Sequence, residues 1–291
     1  MSFLHDLWTH AFLQYAMLAG VLAGVSTGIV GSYVVTRRIT YLAGAIAHFV
    51  LGGMGMARYV SITWDLPWLT PIHGALVAAL LAACIIAIIR LRGRQREDSV
   101  VGALWAMGMA VGILFISRTP GFNEDLMSYL FGNILLVGES QLWWLLGLDL
   151  AVVALAVVFH NAFQAVCFDE DFATLRGVRP AVFYTLLLLL VSLTVVVLIM
   201  VVGIILVIAL MTLPAAIASQ YTRRLWQMMA LSIGLSIAFT TFGLWMSYEP
   251  DLPVGATIIV LAGATYIASL TVGRWLQLRG RAGQEKTTGR R

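Results

Sequence analysis

Ala181-Val-Phe-Tyr-Thr-Leu-Leu-Leu-Leu-Leu-Val-Ser-Leu-Thr-Val-Val-Val-Leu-Ile-Met-Val201 carries no charged side chain. At 1.5 Å per residue, a helix of this length covers about 30 Å, the thickness of a bilayer's hydrocarbon core. Comparable apolar runs recur at about 11–36, 41–60, 71–90, 99–117, 140–160, 203–221, 225–247 and 254–275. The expected fold is therefore all-α, a polytopic transmembrane helix bundle of nine spans. The count becomes eight if 203–221, which Pro214 interrupts, does not cross. Composition agrees: 60% of residues are hydrophobic, 11% are charged and the mean hydropathy is +0.92. A soluble domain is about half apolar and a quarter charged. No soluble half separates from the spans, so 1–277 reads as one transmembrane domain, followed by a basic tail at 278–291.

The first ten residues contain no Lys or Arg, and the run after them is too long for a signal peptide and lacks a cleavage site. The first span is expected to stay in the mature chain. Cys84 and Cys167 are isolated, giving neither a disulfide framework nor a zinc-finger spacing.

Lys and Arg are retained on the cytoplasmic side of spans. With the amino terminus outside and the carboxyl terminus inside, the inner segments hold Arg37 and Arg38, Arg90 to Arg96, Arg176 and Arg179, and Arg223 and Arg224. The tail from Arg274 to Arg291 joins them, leaving only Arg58 and Arg118 of the 18 basic residues outside. The basic pI of about 9.3 then reflects contact with anionic lipid and needs no nucleic acid. Outer segments are acidic and aromatic: Trp64, Asp65 and Trp68; Glu124, Asp125 and Glu139; Tyr248, Glu249 and Asp251. Such a face attracts cations. It is also what a solvated rim with interfacial Trp and Tyr anchors looks like.

No phosphate-binding Gly-rich loop, Gly-x-Ser-x-Gly elbow or His-Glu-x-x-His helix occurs. The chain is not expected to be an enzyme, so uphill movement of a solute would draw on an ion gradient or on a partner ATPase. Phe168-Asp-Glu-Asp-Phe-Ala-Thr-Leu-Arg-Gly-Val178 reads as a short cytoplasmic helix. Asp169, Glu170 and Asp171 suit its amino end, Gly177 stops it, and Pro180 opens the next span. Phe168, Phe172 and Leu175 share one face, which fits either a membrane surface or a groove on a soluble partner.

Ionisable groups at membrane depth are costly and point to function. His48 is one, readable as a metal ligand or as a buried histidine bonded to backbone. Asp149 is another, suited to helix pairing or to a cation route. Gly44, Gly52, Gly53 and Gly55 form a small-residue face for close helix packing. Thr212 and Pro214 mark a kink or a cation-coordinating helix break.

Four ordered stretches resemble one family. Asp125-Leu-Met-Ser-Tyr-Leu-Phe-Gly-Asn-Ile-Leu135, Gly203-Ile-Ile-Leu-Val-Ile-Ala-Leu-Met-Thr-Leu-Pro-Ala-Ala216, Ser247-Tyr-Glu-Pro-Asp-Leu-Pro-Val-Gly-Ala256 and 168–178 are similar to signatures of the membrane subunits of zinc and manganese ABC importers. The resemblance covers nearly the whole chain. It implies a permease in a bacterial or archaeal inner membrane, paired with a second copy of itself. Further implied partners are cytoplasmic ABC ATPase subunits that consume ATP and an extracytoplasmic metal-binding protein. The cargo would be Zn2+ or Mn2+, or iron, with no permanently bound cofactor. Phe168, Asp169, Glu170, Asp171, Phe172, Leu175, Arg176 and Gly177 would couple to the ATPase, and Glu124, Asp125, Tyr248, Glu249 and Asp251 would form the outer mouth. His48 is the metal ligand that the resemblance implies; a second ligand could come from Asp149, from the second copy, or from nowhere.

One departure stands out. Where the family has Gly-Asp-x-x-x-His, this chain reads Ala43-Gly-Ala-Ile-Ala-His48, with Gly44 in place of the carboxylate. Permeation of a metal chelate or haem-like compound, and ion-coupled secondary transport, are the competing expectations.

Overall fold

The structure is a computed structural model that describes residues 2–92, 97–120, 130 and 132–288. Its helices are α1 (Ser2–Thr9), α2 (Ala11–Thr36), α3 (Thr40–Thr63), α4 (Pro71–Arg92), α5 (Glu97–Arg118), α6 (Glu139–Val158) and α7 (His160–Phe168). After them come α8 (Glu170–Leu175), α9 (Pro180–Val202), α10 (Ile204–Tyr221), α11 (Leu225–Tyr248) and α12 (Val254–Thr288). Among the described residues there is no strand, and nine of these helices are long and apolar enough to cross a membrane. They are α2 to α6 and α9 to α12, the last over Val254–Thr271. Helix α12 continues to Thr288 through most of the expected tail.

Ile204–Tyr221 is one helix that continues through Pro214, and it is one of the nine candidate spans. Membrane helices tolerate an internal proline when neighbouring groups compensate the backbone. Here the Thr212 hydroxyl donates to the Ile208 carbonyl at 2.8 Å in the turn before it. The helix stops at Gly203, between α9 and α10, where the runs 181–201 and 203–221 part and φ is +79°.

Helices α2 and α9 are the most enclosed, with 72% of their apolar windows buried, against 22% for α5 and 28% for α6 and α12. The first two make the centre and the other three the perimeter. Because lipid is as apolar as a leucine side chain, the helices associate through close approach and not through exclusion of water. Two glycine seams provide that approach. Along α2, Gly20, Gly24 and Gly28 face Thr240, Ile237 and Ile233 of α11, an antiparallel order; a Cβ on Gly28 would lie 2.6 Å from the Ile233 backbone nitrogen. Along α3, Gly52 and Gly55 face the carbonyls of Gly108 and Gly112 on α5, at 2.9 and 2.7 Å from where a Cβ would sit. That order is parallel, as it must be for spans separated by one crossing. Gly53 meets Gly74 of α4 on another face, so α3 is held on two sides.

The bundle has two distinct ends. Arg37, Arg90, α8 and Arg179 gather at one, called the arginine end below. At the far end Phe3 packs edge-on to Tyr248 with ring centroids 5.4 Å apart, and the Tyr248 hydroxyl donates to Asp6 at 3.0 Å. Gly132, at φ +60°, presses against Val202 and Gly203. Gly132 and Gly203, each within one of the motif stretches, therefore meet at this corner.

Candidate functional site

His48 lies in the middle of α3, 9% exposed, with its ring stacked on Trp105 of α5 at 4.4 Å between centroids and 21° between planes. Its Nδ1 is 2.8 Å from the Gly44 carbonyl. A carbonyl only accepts, so in the neutral ring Nδ1 carries the hydrogen and Nε2 keeps the lone pair. This is how a backbone oxygen fixes the tautomer of a metal-binding histidine. The same contact would also hold a purely structural histidine.

Trp105 explains Gly44. A Cβ at position 44 would lie 3.0 and 3.2 Å from the Cζ3 and Cη2 atoms of the indole. The indole therefore fills the room that a side chain at 44 would need, and His48 has an aromatic plane beside it in place of a carboxylate one turn earlier. Sequence reading missed Trp105 because nothing in a single sequence pairs α5 with α3.

Asp149 is not near this pair. It sits on α6 at 5% exposure and faces Ser26 of α2. Neither carboxylate oxygen has a hydrogen bond of good geometry. Helix α6 packs on α2 and α9, whereas α3 packs on α5, α4 and α9. Among the described residues, no three His, Cys, Asp or Glu side chains converge to hold a metal ion. Thr212 and Pro214 lie on continuous α10, with Pro214 buried.

At the arginine end, α8 is a single short helix with well-made ends. The Asp169 carboxylate accepts from the backbone N–H groups of Asp171 and Phe172 at 2.9 and 3.0 Å, and Gly177 closes the helix at φ +77°. Ala173 is its buried residue. Phe172 and Leu175 are 47% and 87% exposed on α8, while Phe168, 65% exposed, is the last residue of α7 and is set off from α8 by the extended Asp169, so the single helix face expected for the three is divided between two helices. The Arg176 guanidinium lies 5.0 Å from the centre of the Phe172 ring. Glu170 points the other way, bridging Arg37 at the end of α2 and Arg90 near the end of α4. Beneath it, Cys167 is buried beside Arg37; burial pushes its thiol up to about 12, with the arginine pulling it back.

At the far end, Glu124 and Asp125 lie outside the described residues. Tyr248 ends α11, and Glu249 and Asp251 follow in the turn, with Asp251 at φ +53°. A cavity of about 430 Å³ opens nearby between Met54, Thr70, Asn133, Val196 and Met200. Met54 is six residues beyond His48, about 9 Å along α3. His48 does not line the cavity.

The sequence profile of the ABC 3 transport family matches residues 9–273. The chain belongs to the ABC 3 transport family. A Chlamydia muridarum membrane protein assigned by name to a metal transport system is 40% identical over 89% of this chain and 88% of its own length. The manganese transport system membrane protein MntC of Halalkalibacterium halodurans is 30% identical over 91% and 88%. Among solved structures, PsaBC from Streptococcus pneumoniae in complex with Fab superposes with a TM-score of 0.83 at 29% identity. That superposition covers 96% of this ABC 3 chain and 99% of the other. The whole bundle, and not one motif, is thus shared.

Proposed function

We propose that this chain is the membrane-spanning subunit of an ATP-driven importer of a divalent transition metal, manganese or zinc. Family membership over residues 9–273 carries the reading, supported by relatives at 30–40% identity whose names specify metal or manganese transport. The subunit does no hydrolysis of its own; ATP is consumed in a separate subunit. In this reading the arginine end is cytoplasmic, by the charge bias of inner segments. The exposed apolar side chains of Phe168, Phe172 and Leu175 receive the ATPase, a helix-in-groove contact. A second copy completes the translocation unit, and an extracytoplasmic metal-binding protein delivers cargo at the far end, near Tyr248, Glu249 and Asp251.

His48 serves as a transient ligand through Nε2, in keeping with the Nδ1 contact to Gly44. A site with one strong nitrogen ligand releases its ion readily, as a conduit requires. Asp149, being apart from it, contributes to helix pairing with α2 rather than to the same coordination sphere. The test is uptake of radioactive manganese, zinc and iron, in competition, by vesicles containing the reconstituted complex. ATP-dependent accumulation of manganese or zinc is expected. A complex that hydrolyses ATP but accumulates neither would overturn the reading.

A further inference from the structure

Helix α8 is six residues long, too short to be stable alone, since helix nucleation is costly and isolated helices need about a dozen residues or more. Its position is set by what it touches. Outward it presents the exposed Phe172 and Leu175. Inward it offers Ala173, packed against the bundle, and Glu170.

Glu170 is unusual in how much converges on it. A single oxygen, Oε1, receives the guanidinium of Arg37, where α2 ends, and that of Arg90, close to where α4 ends, the latter at 2.8 Å. The Arg90 guanidinium also lies 4.3 Å from the ring centre of Tyr184, in the second turn of α9, and Arg37 lies 5.9 Å from the same ring. One carboxylate therefore ties α8 to α2 and α4, with the Tyr184 ring of α9 as the floor of the joint. The side chains of Arg37 and Arg90 are 14% and 28% exposed, so the joint is partly shielded from solvent. The two tethered helices lead into the rest of the bundle. Helix α2 is seamed to α11, and α4 clasps α3, which carries His48.

We propose that Glu170 is the positioning residue that transmits motion of α8 to α2 and α4, so that ATP hydrolysis in a docked subunit is coupled to opening of the bundle. The proposal rests on the reading of α8 as the ATPase-docking helix. Guanidinium–carboxylate hydrogen bonds are among the stronger polar contacts, and directional. A neutral amide in the same place keeps the shape and loses the ionic link.

The experiment compares Glu170→Gln, Arg90→Glu, Glu170→Arg and the double exchange Glu170→Arg with Arg90→Glu, in the assembled complex. Two quantities are read: ATPase subunit retained on purification, and metal imported per ATP hydrolysed. Glu170→Gln should retain the ATPase and lower metal per ATP by about tenfold or more, the scale expected when the one carboxylate that holds both Arg37 and Arg90 becomes a neutral amide. Each single charge reversal should be worse, and the double exchange should recover at least about threefold over Glu170→Arg, because opposite charges again face each other. Wild-type metal per ATP in Glu170→Gln overturns the proposal. So does a double exchange no better than the singles, or loss of the ATPase from Glu170→Gln, which would make Glu170 part of the docking surface. Phe172→Asp keeps the two readings apart: if it retains the ATPase and transport, the docking assignment fails whatever Glu170→Gln does.

Discussion

Gly44→Asp, which would place a carboxylate one turn before His48, is expected to destabilise this protein and not to rebuild a metal pair. A Cβ at position 44 meets indole carbons of Trp105 at 3.0 and 3.2 Å, and the carboxylate would extend further toward the same ring. Overpacking of that kind costs about 1–3 kcal/mol. A carboxylate on the fifth residue of α3, short of the helix centre where its cost would be about 2.5–3.5 kcal/mol, adds about 1–2 kcal/mol. The combined loss of about 2–5 kcal/mol should lower the thermal midpoint of the purified protein by roughly 5 °C or more. Gly44→Ala isolates the contact: its steric cost is offset by about 1 kcal/mol of helix propensity, so its midpoint should fall only slightly. In a Trp105→Ala background the ring is gone. There Gly44→Asp should cost only the carboxylate part, leaving a coupling of about 1–3 kcal/mol between the two positions. The assay is the fraction of monodisperse protein after heating, measured by gel filtration because removing a tryptophan alters fluorescence. Equal midpoint losses in both backgrounds, or no loss in Gly44→Asp, would refute the reasoning.

His48→Asn should assemble normally but lose metal uptake, because the amide has no imidazole nitrogen to offer; near-normal uptake would leave His48 a structural residue. Gly28→Leu should block the α2–α11 seam and reduce recovery of folded protein, whereas Gly147→Leu, where a Cβ meets nothing within 4 Å, should be neutral. Equal recovery of both variants would count against the seam. Cys167 should resist maleimide at pH 8, since a thiol pushed up to about 12 is ionised to only about one part in ten thousand; fast labelling of the folded protein contradicts this. For the same thiol the folded pKa lies above the unfolded one near 9, so its stabilising effect is complete below pH 9 and lost as pH rises toward 12. Cys167→Ala should flatten that alkaline decline, and an unchanged slope would count against burial as its cause.

The spans were legible because a bilayer imposes a length and a polarity that a single sequence displays directly; 71–90 and 181–201 agree with α4 and α9 to within about two residues. The short helix within 168–178 was legible in part: its acidic start and stopping glycine are local signals, but it covers only Glu170–Leu175, and Phe168 ends a separate helix, His160–Phe168, that the sequence did not announce. Pairing between distant segments was not. The glycines of α3 were noticed, but not that Gly108 and Gly112 would oppose them, nor that Gly20, Gly24 and Gly28 of α2 form a seam of their own. Arg37 and Arg90 entered the sequence reading only as topology markers, because hydropathy counts charges without aiming them. Their convergence on Glu170 is a property of the fold. The parting of 181–201 from 203–221 was legible too, and it falls at Gly203.

The two glycine seams differ in mechanical character. Along α2 and α11, glycines receive the side chains of Thr240, Ile237 and Ile233, so teeth sit in notches and the register is keyed. Along α3 and α5, Gly52 and Gly55 lie against the carbonyls of Gly108 and Gly112, so backbone meets backbone there, while the Trp105 indole sits against Gly44 and the Leu51 side chain against Gly112. This second joint is keyed at Gly44 by the same indole that stacks on His48. Axial slip between α3 and α5 would have to lift the indole from that notch, and a slip of one residue, about 1.5 Å, would also begin to slide it off the imidazole.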